Sequence, residues 1–127
     1  MAYQGTKLHN FTSIDYVAEL QIIDTDPGTG AVVGEGATVT AHYTGALAKN
    51  GIIFQSSFDA GKALSFKLDE VIEGWKLGVP GMKVGGTRRL IIPAAQAYGD
   101  MSPSRAIPAQ SDLVFDIDLI AITRAGA

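Results

Sequence analysis

The sequence predicts an α+β domain in which short antiparallel strands carry most of the chain and one short helix packs on one face of their sheet. Three observations lead there. Alternating apolar and polar residues recur in short runs, best in "SDLVFDIDLIAIT", where Leu113, Phe115, Ile117 and Leu119 alternate with Val114, Asp116 and Asp118. Turn chemistry separates those runs. Only "EVIEGWK" has apolar residues at i, i+1 and i+4 (Val71, Ile72 and Trp75), the spacing of a helical face. One sheet burying one face under one helix is a two-layer domain.

The elements follow in order. Residues 1–15 are polar and mixed and are expected to form a flexible or loosely docked arm, with the folded domain running over 16–127. "YVAELQII", Tyr16 to Ile23, predicts a first strand, and Asp26, Pro27 and Gly28 a turn after it. "TVTAHYTG" places Val39, Ala41 and Tyr43 on one face of a second strand. Asn50-Gly51 signals a hairpin leading into Ile52 to Gln55, and "ALSFKL" is a further short strand. After the helix come "TRRLIIP" and the long final strand.

The glycine-rich stretch "DEVIEGWKLGVPGMKVGG" holds the only tryptophan of the chain. Each glycine inside a helix costs on the order of 1 kcal/mol relative to alanine, so this helix is poorly made for its own sake.

Composition narrows the function. At 127 residues, 46% hydrophobic and 18% charged, the chain suits one globular domain. A net charge of -3 with scattered basic residues argues against nucleic acid as a partner. There is no cysteine, hence no disulfide, thiolate metal site or cysteine nucleophile, which fits a reducing compartment. The start shows no secretory pattern and no run is long enough to span a membrane, so the cytoplasm is the expected location.

Candidates for bond-breaking chemistry fail one by one. Asp116 and Asp118 share a side of a strand and read as solvated carboxylates on the wet face of an antiparallel edge. His9 and His42 are too few and isolated for a metal cluster, and His42 reads as a packing or hydrogen-bonding residue. "GTGAVVG" misses the dinucleotide spacing and precedes a strand, and "GVPGMKVGG" lacks the Lys-Ser/Thr of a phosphate loop. What remains is a set of aromatics in or beside the predicted elements: Tyr43, Phe54, Phe58, Phe66, Trp75, Tyr98 and Phe115. They read either as core, which is favoured for Phe66, or as the walls of a pocket for a small ligand or peptide.

In order along the chain, "VTAHYTGAL", "GIIFQSS", "VIEGWKLGVPGMKVGGTRRLIIP", "AYG" and "LVFDIDLI" resemble the FKBP-type peptidyl-prolyl cis–trans isomerases, the rapamycin-binding immunophilins. The resemblance runs from about Gly34 to Ile122. It implies a twisted antiparallel sheet wrapped around one short α-helix, and isomerase activity at X–Pro bonds without cofactor or metal. It also implies proline-containing polypeptides as substrates, macrolides of the rapamycin type as ligands, and a monomer.

Carried over residue by residue, the resemblance puts Trp75 on the pocket floor and Tyr43, Phe54, Val71, Ile72 and Phe115 in its walls. The Ile72 amide and the Tyr98 hydroxyl become donors, and Ile107 lies in an overhanging loop. Three positions depart from the family pattern. Gln55 stands where an aspartate is usual, Leu64 where an aromatic is common at the rim, and Ala109 where a second proline is frequent. The connection from Tyr98 to Ile107 is too short for an inserted chaperone domain, and no further domain is expected after the last strand. A second reading keeps the pocket with little turnover: a proline-recognising binding module or chaperone. A third is a purely structural domain with the pocket filled.

Overall fold

The computed structural model describes residues 4–8, 11–103 and 105–123. Six strands form one antiparallel sheet: β1 (Gln21–Asp26), β2 (Thr38–Leu47), β3 (Ile53–Ser56), β4 (Leu64–Lys67), β5 (Thr87–Ile92) and β6 (Leu113–Thr123). Their spatial order is β1-β5-β6-β2-β3, with β4 beside β3 along the same edge of β2. Two short α-helices, α1 (Ser57–Ala60) and α2 (Glu73–Gly78), and a 3₁₀ turn (Ala94–Gln96) complete the elements. No helix among the described residues is long and apolar enough to cross a membrane.

The alternation read in the sequence sets the two faces. Val39, Ala41 and Tyr43 of β2 and Leu113, Phe115, Ile117 and Leu119 of β6 are all buried on the inner face, against α2. Between Leu119 and Ala121 the register with β2 slips, so Ile120 is an extra residue, 50% exposed. The bulge shifts the parity, and Ile122 rather than Ala121 turns back to the core.

The outer face is apolar at one end only. Ala46, Val114, Ile91 and Ile53 form a second cluster, covered by Leu8, Phe11, Ile14 and Val17. The chain before β1 is tied there by main-chain bonds from Gly5, Leu8 and Ile14 to Ile53, Gly51 and Ala48. The Asp112 carboxylate accepts from Val17 N (2.8 Å) and Ala94 N (2.9 Å).

Several expectations are corrected. The first strand is Gln21–Asp26, not Tyr16 to Ile23, because Val17 is drawn onto the outer-face cluster while Asp24 pairs with Arg88 across from β5. The helix starts at Glu73: Ile72 is extended (ψ 153°), and Val71 and Ile72 precede the helix instead of sharing its face. It is also not the sole helix. Ser56 caps α1 by accepting from Phe58 N, and Gly61 closes it in the left-handed region (φ 75°). Finally, β6 is central, so Asp116 and Asp118 are not on an edge. Arg89 binds Asp116 through two bonds of 2.6 and 2.8 Å, and Asp118 accepts from Thr87.

The seat of α2 explains its glycines. Gly74 and Gly78, one turn apart, face Ile92 and Leu90 of β5. A Cβ on Gly74 would lie 2.5 Å from Ile92 Cγ2, and one on Gly78 would lie 2.6 Å from Leu90 Cδ2. The helix therefore lies flush on the sheet, closer than any residue with a side chain would allow. Its far end is fixed by the buried Arg88, which donates to Gly78 O (2.7 Å) and Pro80 O (3.2 Å) and grips Asp24 of β1 with its other nitrogens.

Candidate active site

The flush helix holds Trp75 under the open end of the sheet. Its ring lies 5.0 Å from Phe66 of β4, 5.4 Å from Phe115 of β6 and 5.7 Å from Tyr43 of β2, centroid to centroid. Tyr43 and Phe115 meet the indole edge-on, at 81° and 85°, a favoured aromatic arrangement. Phe54 packs edge-on against Phe115 at 5.7 Å. These rings enclose a cavity of about 300 Å³, at the small end of ligand-sized pockets. Gln55, Glu70, Val71, Ile72 and Tyr98 complete its lining.

A β-bulge brings two lining residues in together. Gln55 pairs with Gly45 but Ile53 already pairs with Ala46, so Phe54 is the extra residue, and both Phe54 and Gln55 reach the cavity. Gly45 makes room for them: a Cβ there would lie 2.6 Å from Phe54 Cζ and 2.7 Å from Phe115 Cε1.

Tyr43 is held from behind. Ser57, 2% exposed, accepts from Tyr43 N (2.7 Å), donates to Tyr43 O (3.2 Å) and lies 2.8 Å from His42 Nδ1. The donor in the bond between Ser57 and His42 is set by the imidazole tautomer. The imidazole stacks on Phe58 at 4.2 Å. His42 is thus a hydrogen-bonding strand residue, as the sequence indicates, and His9 lies outside the described residues.

The polar groups of the site are few. No buried side-chain polar atom lacks a partner among the described residues, and the Trp75 N–H and the Tyr43 and Tyr98 hydroxyls bond to no described protein group. The Ile72 N–H likewise has no internal acceptor among the described residues, whereas its carbonyl takes Trp75 N (3.0 Å) and Lys76 N (3.1 Å). Burial, then the neighbouring Tyr98, raises the Tyr43 phenol above its ordinary value of 10.0, keeping it a donor through the neutral range. No group of three or more metal-ligating side chains occurs among the described residues.

Of the residues singled out in the sequence, Tyr43, Phe54, Gln55, Val71, Ile72, Trp75, Tyr98 and Phe115 converge on this cavity. Leu64 and Ile107 are not in its lining. Leu64 is half-buried on the inner face beside Ala41, and Ile107 is buried in the main core, its carbonyl accepting from Ser102. Two lining residues were missed. Phe66 reads as core, and only the parity of β4 places it beside Trp75. Glu70 sits in the turn before α2, where the sequence gives no signal. A wider cleft, about 820 Å³, lies beside residues 15–20, but its one aromatic is the exposed Tyr16.

An antiparallel sheet closed over a short helix, with a cavity lined mostly by aromatic and aliphatic side chains, is the architecture of the site. Residues 30–120 match the profile of the FKBP-type peptidyl-prolyl cis–trans isomerases. The peptidyl-prolyl cis–trans isomerase FPR2 of Saccharomyces cerevisiae is 44% identical over 92 residues, covering 71% of this chain and 68% of that protein. The FK506-binding protein of Streptomyces anulatus is 44% identical over 109 residues, covering 83% and 87%. The crystal structure of a peptidyl-prolyl cis–trans isomerase from Pseudomonas syringae superposes with a TM-score of 0.75 at 33% identity, over 87% of this chain and 80% of that one. Among other matches are longer fungal proteins, of which this chain spans about a quarter. The chain belongs to the FKBP-type peptidyl-prolyl cis–trans isomerase family, and is an isomerase with the sheet-and-helix fold of that family.

Proposed function

We propose that the aromatic cavity takes the ring of a prolyl residue over Trp75 and speeds rotation about the preceding peptide bond in flexible or unfolded chains. The observation that carries this is the Trp75 floor, ringed at 5.0–5.7 Å by Phe66, Phe115 and Tyr43, beside an Ile72 N–H that has no acceptor among the described residues.

The barrier to rotation is about 18–20 kcal/mol because amide resonance must be broken. The planar amide is the charge-separated form, best solvated by water. A cavity that strips water from the carbonyl disfavours that form relative to the twisted one. The Ile72 N–H and Tyr98 hydroxyl then hold the twisted geometry better than either planar state, and only that difference counts as catalysis. A neutral hydrogen bond contributes about 1 kcal/mol net, less than tenfold in rate, so desolvation by the rings carries the larger share. Phe54, Val71 and Phe115 form the walls. Gln55 donates and accepts hydrogen bonds without bringing charge.

The same donors and apolar floor suit a macrolide of the rapamycin type. A cytoplasmic monomer that assists folding completes the proposal, and cell fractionation and sedimentation test those two parts. In a protease-free assay on a short X–Pro peptide, Trp75→Ala should reduce kcat/KM more than Tyr98→Phe, which should cost about tenfold or less. A wild-type rate no faster than the uncatalysed one overturns the proposal. The neutral Gln55 favours one other reading, a proline-recognising module with little turnover; rapamycin quenching of Trp75 fluorescence without isomerase activity would select it.

A further inference from the structure

We propose that Glu70 selects for charge near the proline, favouring substrates with Lys or Arg beside it over those with Asp or Glu; this rests on the cavity being the prolyl site. Of the ten described residues that line the cavity, Glu70 is the only one with a charged side chain. It is exposed, and among the described residues it makes no ion pair. Its main-chain N–H donates to Lys67 O (2.9 Å), which fixes the turn that borders the cavity.

The neighbouring carboxylates are aimed elsewhere. Asp69 lies against Gly36, its oxygens 3.2 and 3.3 Å from where a Cβ would stand, and Glu73 is on the first turn of α2; neither lines the cavity. With Gln55 neutral, no other described lining side chain offsets or reinforces the Glu70 charge. A bound peptide excludes water between its own side chains and this carboxylate, so the field is felt more strongly than on an open surface, but salt still screens it. An exposed pair of this kind gives roughly a few-fold effect in each direction, so a Lys peptide should exceed a Glu peptide by about three- to tenfold.

The test uses the full chain and three tetrapeptides of the form Ala-X-Pro-Phe, with X as Lys, Gln or Glu, and a second set with the charge after the proline. Both kcat/KM and the dissociation constant from Trp75 fluorescence are measured at low salt and with 0.5 M sodium chloride. The expected result is a Lys over Glu preference in one of the two sets. It should fall towards unity in salt and in Glu70→Gln, and persist in Glu73→Gln. Turnover or binding of the Gln peptide with equal constants for Lys and Glu overturns the charge selection while leaving the prolyl site standing. A preference that survives Glu70→Gln assigns it to another group and also overturns the proposal. Absence of turnover counts against the isomerase reading alone, because the binding constants still decide the role of Glu70. No binding of any peptide overturns both.

Discussion

Replacing Gly74 by alanine sets two effects of opposite sign against each other. In an isolated helix the change would stabilise by about 1 kcal/mol, since glycine is that much poorer than alanine in a helix interior. Here the new methyl would stand 2.5, 2.6 and 2.8 Å from Ile92 Cγ2, Cδ1 and Cγ1, against an ordinary contact of 3.4–4 Å. Ile92 is fully buried, and its β-branched side chain has few rotamers to retreat into. Relieving an overlap of nearly 1 Å means lifting α2 or straining Ile92, and overpacking of this kind costs about 1–3 kcal/mol. The overlap wins. Gly74→Ala should be destabilising by about 1 kcal/mol net, a fall of a few °C in Tm for a domain of this size. Urea unfolding followed by Trp75 fluorescence and by far-UV circular dichroism measures it. Ile92→Val removes the Cδ1 contact, so the penalty of Gly74→Ala should shrink in that background, a coupling of roughly 0.5 kcal/mol or more. If Gly74→Ala instead raises stability by its helix-propensity gain, the close seat of α2 is not what requires glycine there.

Gly45→Ala should act on the site itself: its methyl would wedge between Phe54 and Phe115, 2.6 and 2.7 Å away, and kcat/KM on a neutral X–Pro peptide should fall about tenfold while the sheet stays folded by circular dichroism. Asp24 is held below its ordinary carboxylate value of 3.8, chiefly by the hydrogen bonds from Arg88. A depressed folded value stabilises above the unfolded one and is lost as pH falls through it, so acid unfolding below about pH 4 should be shallower in Asp24→Asn. The raised Tyr43 phenol works in the other direction: its contribution is complete below pH 10 and is lost as pH rises past its folded value. Tyr43→Phe should therefore flatten the alkaline limb of a Tm profile above pH 10, and Tyr43 should add no titration to kcat/KM below that.

The sheet was legible wherever one face alone is buried. In β2 and β6, Val39, Ala41 and Tyr43 and Phe115 to Leu119 alternate cleanly because the opposite positions carry Thr40, His42, Asp116 and Asp118. It was illegible where a residue is held by something distant in sequence. Val17 leaves the predicted first strand because Asp112 and the outer-face cluster hold it, and Asp24 lies outside that predicted strand until Arg88 supplies its partner. A bulge is equally silent, since Ile120 and Phe54 read as ordinary strand residues until their partners are paired. The one-turn helix α1 had its signals, Ser56 before it and Gly61 after it, but four residues leave no period to detect.

The site shows why a resemblance was needed to name it. Tyr43, Phe66, Trp75 and Phe115 come from four separate elements, and no spacing between them encodes their convergence. A hydrolase carries its chemistry in residue types that stand out in a sequence, because a nucleophile and its base must have particular pKa values. A pocket that acts by removing water needs only rings and shape, the same residue types that build a core. Phe115 belongs to the main core and Phe66 packs against it, and both also line the cavity. The glycines of α2 are the exception, because they record the geometry and not the chemistry. Gly74 and Gly78 weaken the helix in order to bring it against Ile92 and Leu90, and that contact sets the height at which Trp75 closes the floor. A helix raised by a methyl would still fold under the sheet, but it would raise the indole with it, so Gly74→Ala should lower affinity for a prolyl peptide as well as stability.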